Sequence, residues 1–116
     1  MRPLEPDILE HLKPTCDGEP IHFVGLGIYD FQVGYSSVRR IQTMAKVVCS
    51  LQGQTFAWEE GPSNMPVWLL VGQTPSSFEL TSPYALRMNL ASGDWVEFYC
   101  DDSPYEALII DFGIKD

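Results

Sequence analysis

Apolar and polar positions alternate most cleanly in MAKVVCSLQGQTFAWEEG, where Ala45, Val47, Cys49 and Leu51 fall on one face and Lys46, Ser50 and Gln52 on the other. A period of two is that of a half-buried strand, so the stretch predicts a hairpin that turns at Gln52-Gly53 and returns with Phe56 and Trp58 inward. Glu59-Glu60-Gly61-Pro62 ends it. The layout recurs downstream, where Leu86, Met88 and Leu90 alternate, ASGD turns, and WVEFYC returns to Asp101 and Asp102. Gly53 and Gly93 are 40 residues apart. Each copy has a glycine, a small-residue stretch, a strand, a glycine turn and a strand that ends in paired acids. A solenoid needs about three copies, so the expected arrangement is a pseudo-symmetric antiparallel meander on one core.

Elsewhere the period changes. Ile8, Leu9 and Leu12 in PDILEHLKP sit at helical spacing, which predicts a helix of about two turns with Asp7 as its cap and Pro14 as its stop. IHFVGLGIYDFQV is rich in β-branched and aromatic residues, and Gly25 and Gly27 within it predict a bent or bulged strand. SNMPVWLLVGQ is too short an apolar run for periodicity to separate helix from buried strand over residues 66 to 71. Ser63 or Asn64 as a cap and Gly72 as a stop favour a short helix near residue 67. In YEALIIDFG, Leu108, Ile110 and Phe112 alternate with Ile109 and Asp111, the pattern of a strand. The fold class expected is α+β: a mostly antiparallel β meander of six or seven strands with two similar hairpins, a short N-terminal helix and one short central helix.

A chain of 116 residues forms one domain, residues 1 to 116, and buries roughly two thirds of its unfolded surface. Sixteen Asp and Glu against seven Lys and Arg give a net charge of -9. Its own field therefore opposes a phosphate backbone or an anionic membrane, and neither nucleic acid nor membrane is an expected partner. MRPLEPDILEHLKP has charges every few positions and no apolar stretch like that of a signal peptide, so a cytoplasmic location is expected. Cys16, Cys49 and Cys100 have neither zinc-site spacing nor the density of a disulfide scaffold. Cys49 and Cys100 fall within strands and read as packed free thiols, while Cys16 falls in the CDGEP loop.

Catalytic chemistry would require a nucleophile beside a base, carboxylates in unequal settings, or ligands at coordination spacing. His11 on the polar side of a helix and His22 at a strand start read as surface residues. GLGIYDFQVG has Gly-x-Gly without the rest of the dinucleotide fingerprint, and DDSPYE has a proline where a calcium loop has glycine. The residues therefore predict no enzyme, no cofactor and no metal. What stands out is acid at strand ends: Glu59-Glu60, Asp101-Asp102 and, past the Ser-Pro turn, Glu106. Clustered like charge opposes folding, so one acidic rim has a physical reason if a basic partner binds there.

The stretch VWLLVGQTPSSFELTSPYALRMNLASGDWVEFYCDDSPYEALIIDFG resembles small bacterial immunity proteins of contact-dependent growth inhibition and related polymorphic toxin systems over residues 68 to 113. Leu69, Leu70 and Gly72 match the first element of that layout, Leu86, Met88 and Leu90 the central strand, and Tyr105, Glu106 and Ala107 the final motif. Ser92-Gly93-Asp94 stands where the layout has Asp-Gly, and Pro104 precedes the Tyr-Glu. The resemblance implies a protein without catalytic residues that binds and neutralises one cognate toxin domain, usually a basic nuclease. Glu59, Glu60, Asp101, Asp102, Tyr105 and Glu106 would then contact that partner. Two other classes remain open. One is a small enzyme or ligand-binding domain with a pocket lined by Trp58, Trp68 or Trp95, and the other is a structural subunit of a bacterial complex.

Overall fold

The computed structural model describes residues 7–27, 30–35, 38, 40–59, 64–99 and 108–111, with Glu59, Leu108, Ile109 and Asp111 described by backbone alone. The two predicted hairpins are present. In the first, β4 (Lys46–Leu51) pairs antiparallel with β5 (Gln54–Glu59), Leu51 facing Gln54 across the turn. Gln52 and Gly53 both take positive φ, 52° and 82°. This is the two-residue turn whose twist matches that of the strands it joins. In the second, β7 (Ala85–Leu90) pairs with β8 (Trp95–Tyr99) around Gly93 at φ 97°.

The hairpins lie side by side in one sheet of order β5-β4-β8-β7-β6, where β6 is Pro75–Ser82. Because β4 pairs with β8, a step of two strands along the sheet carries one hairpin onto the other. The copies are thus related by translation within a sheet, and the chain order differs from the simple meander expected. A second sheet of order β1-β2-β3-β9 comprises Phe23–Leu26, Phe31–Gly34, Arg40–Thr43 and Leu108–Asp111. Among the described residues, nine strands in two antiparallel sheets therefore replace the six or seven expected. With the short N-terminal helix, the chain is α+β and mostly antiparallel β.

Several boundaries depart from the sequence reading. IHFVGLGIYDFQV is a hairpin, β1 to β2, and not one bent strand: Gly27 N–H donates to Asp30 O at 2.8 Å and Leu26 faces Phe31. A Cβ on Gly27 would lie 2.1 Å from Asp30 Oδ1, so a larger residue there requires the Asp30 side chain to move. The helix α1 spans Ile8–Leu12, and Asp7 makes no side-chain capping bond. Pro14 does not stop it, because the chain tightens into a 3-10 turn over Lys13–Cys16 with Pro14 in the first positions, where a missing N–H costs nothing. The apolar run after Asn64 is a single 3-10 turn, Val67–Leu70, with Pro66 at its N-cap and Val71 extended.

The core lies between the sheets. Phe31 of β2 touches Trp58 of β5 at a ring separation of 6.0 Å and Phe98 of β8 at 6.1 Å. All three rings are fully buried, which stabilises the fold by about 2 to 3 kcal/mol each. Val47, Cys49 and Leu51 from β4 and Leu86, Met88 and Leu90 from β7 complete the inner face of the five-stranded sheet, as their alternation predicts. The Tyr35 hydroxyl donates to Met88 Sδ across the sheets. Two residues, Met44 and Ala45, carry the chain from β3 in one sheet to β4 in the other. Buried Thr43 fastens that corner: its Oγ1 donates to Tyr99 O at 2.6 Å and accepts from Ala45 N–H at 3.1 Å.

Candidate functional site

Of the rim residues predicted from sequence, the backbone of Glu59 is described, and Glu60, Asp101, Asp102, Tyr105 and Glu106 lie outside the described residues. In sequence, Glu60 follows β5, and Asp101-Asp102 begins two residues after the end of β8. Both β5 and β8 run antiparallel to β4, and the last residue of each, Glu59 and Tyr99, faces Lys46. The two ends thus leave the same sheet edge on either side of Lys46, about 10 Å apart at two strand spacings. Lys46 Nζ lies 5.2 Å from the Tyr99 ring centroid, a cation–π contact at the midpoint of that edge.

The outer face of the same sheet holds an ion cluster that the sequence reading missed. Glu97 of β8, 6% exposed, points away from the apolar core. Its Oε2 accepts from Arg87 Nε at 3.0 Å and from Thr81 Oγ1 at 2.8 Å, and its Oε1 accepts from the Tyr99 hydroxyl. Burial alone would raise the carboxyl pKa, but these hydrogen bonds and the Arg87 charge outweigh it and hold the pKa below the usual glutamate value. The bond to Glu97, followed by burial, raises the Tyr99 phenol in turn. Arg87 stacks 4.0 Å from the Trp95 ring centroid, which fixes its guanidinium plane. The sequence carries a signal for this pair, since Arg87 and Glu97 are opposite charges flanked by apolar residues and directly opposed across the turn.

The three tryptophans do not share a pocket. Trp58 is 1% exposed within the core, and Trp95 lies on the outer face under Arg87. Trp68 is 78% exposed and borders a shallow apolar hollow of about 230 Å³ with Phe23, Val24, Val67 and Val71. A larger cleft of about 690 Å³ opens between the N-terminal segment and β6. His11 and His22 are both exposed. Cys49 is fully buried, and burial pushes its thiol up to about 11; half-buried Cys16 is also raised by burial, and Cys100 lies outside the described residues. Among the described residues no three His, Cys, Asp or Glu side chains converge as metal ligands, and no helix is long and apolar enough to cross a membrane. Comparison of the chain with family models, curated proteins and solved structures gives no match.

Proposed function

We propose that this protein is a cytoplasmic, non-enzymatic immunity protein that binds and neutralises a basic toxin domain, a nuclease being the expected type. Recognition takes place at the edge of the five-stranded sheet where β5 and β8 end. The observation that carries the reading is the shared edge: two parallel strands finish on either side of Lys46, and the sequence continues from them into Glu59-Glu60 and, two residues past Tyr99, into Asp101-Asp102. The net charge of -9 adds a long-range field of the same sign, which accelerates encounter with a basic surface and disfavours nucleic acid. A nuclease holds its substrate with positive charge, so an acidic rim occupies the same groups that phosphate would.

Affinity capture from the native host, with the wild-type chain and with Asp101→Lys/Asp102→Lys in parallel, tests the proposal. The wild type should retain a basic protein whose binding weakens as salt is raised, because exposed charges more than a Debye length apart are screened. The double variant should fold and lose most of that protein. Equal recovery by both would remove this edge from the interface.

A further inference from the structure

The larger cleft sits between two segments away from the sheet edge described above, whose inward residues Leu12, Leu9 and Phe78 belong to the core or pack against it. One wall is the 3-10 turn Lys13–Cys16 with the end of α1, and the other is β6, the outermost strand of its sheet. Its volume of about 690 Å³ falls within the range of small-molecule sites. Leu9, Pro14 and the half-buried Phe78 give it an apolar lining. The polar groups are less balanced. Ser76 Oγ donates to Asn89 O and Ser77 Oγ accepts from Asn89 Nδ2, so both serines are engaged. Lys13 pairs with Glu10 at 3.6 Å. Asp17 is exposed at the mouth and makes no ion pair among the described residues.

We infer that this cleft binds a small organic cation with a flat apolar body, such as an arylalkylamine. Asp17 supplies the counter-charge, and Leu9, Pro14 and Phe78 contact the body. An anion of the same shape meets an uncompensated carboxylate within a chain of net charge -9 and is excluded. An extended peptide is disfavoured by the backbone spacing. Cα atoms of the 3-10 turn come within 8 Å of β6, whereas a strand inserted between them would hold the two about 10 Å apart.

The test is a titration of the full chain, followed by amide chemical shifts, with three probes that share an indole ring: tryptamine, tryptophol and indole-3-acetate. Tryptamine should give saturable shifts at Leu9, Asp17 and Phe78 and bind about threefold more tightly than tryptophol, the margin of a partly exposed charge contact. Indole-3-acetate should bind more weakly than either. Asp17→Asn should bring tryptamine down to the level of tryptophol and leave tryptophol unchanged, a result that loss of folding cannot imitate. The inference is overturned if all three probes bind alike, if tryptamine shifts residues around Trp68 instead, or if only an extended basic peptide perturbs β6.

Discussion

Midway along the first hairpin, the outward-facing pair is Val48 opposite Ala57; at the matching place in the second hairpin it is Arg87 opposite Glu97. The match follows from the buried faces, where Val47, Cys49 and Leu51 correspond to Leu86, Met88 and Leu90, and Trp58 to Phe98. Inward, the two copies obey one rule, alternate apolar residues on a shared core. Outward, one copy carries two neutral side chains and the other a carboxylate held by an arginine, a threonine and a tyrosine. The comparison separates what a hairpin requires from what it tolerates. The inner alternation places the strands, and an ion cluster on the other face is a local addition.

If that is right, the second hairpin should accept the chemistry of the first. Arg87→Val alone leaves Glu97 buried beside an apolar side chain and should cost about 2 to 3 kcal/mol, at the low end for a broken buried pair because Arg87 is itself partly exposed. Arg87→Val/Glu97→Ala copies Val48-Ala57 and should recover to within about 1 kcal/mol of the wild type. Urea unfolding of both variants decides it. A single variant no worse than the double one would mean that the pair is not energetically coupled.

The same pair gives the hairpins different pH dependence. Because the folded pKa of Glu97 lies below its unfolded value, its ionised form contributes stability that is fully present above the unfolded glutamate pKa, about 4.3. That contribution is lost as pH falls through the lower, folded value. Melting the wild type and the Arg87→Val/Glu97→Ala variant from neutral pH down to acid should therefore show a smaller loss in the variant. Parallel curves would assign acid sensitivity to other carboxylates.

Both hairpins were legible in the sequence because their signals are local: a period of two over each strand and a glycine at each turn. What was not legible depends on residues brought together from far apart. β6 begins with Pro75-Ser76-Ser77, part of the small-residue stretch that precedes the predicted strand in the repeat, and an edge strand tolerates proline and serine. β3 is four residues long and leaves for the other sheet at Thr43, whose hydroxyl bonds to Tyr99, 56 positions on. The buried state of Glu97 rests on Thr81, 16 residues earlier, and no spacing rule announces that contact. Of the candidate rim, the sequence identified the acids and the sheet supplies the common edge for Glu59 and Tyr99; the other five rim residues lie outside the described part of the chain.

The turns extend the comparison to a smaller effect. Nothing lies within 4 Å of a Cβ built on Gly53 or Gly93, so a side chain at either position meets backbone strain and no clash. Gly53→Val and Gly93→Val should each cost about 1 kcal/mol or somewhat more, through a φ that β-branched residues rarely adopt. Thermal melts should show similar losses for the two. A much larger loss at one turn would mean that it carries contacts beyond its own conformation.

Asp94 is the reason to look for such contacts, because it is where the hairpin tips meet. Its Oδ1 accepts from Gln52 N–H at 2.9 Å, which ties the second turn to the first, and its Oδ2 accepts from Gln73 Nε2 at 3.1 Å. Gln73 also accepts from Ser92 Oγ at 2.6 Å through its side chain and from Ile21 N–H at 2.8 Å through its backbone, so the tips connect to the residues that lead into β1. These bonds lie near the surface, where water competes for every partner, and Asp94→Ala should cost only about 0.5 to 1 kcal/mol. The global melt is therefore a poor readout, and hydrogen exchange is a better one: the Gln52 amide should exchange faster in Asp94→Ala while amides in the middle of β4 and β8 keep their protection. Combined with Gln73→Ala in a double-mutant cycle, the two losses should fall short of additivity, since both remove members of one network. Unchanged exchange at Gln52 would show that the hairpins are coupled only through their shared core, and that side-by-side tips are a consequence of the sheet order and not a contribution to it.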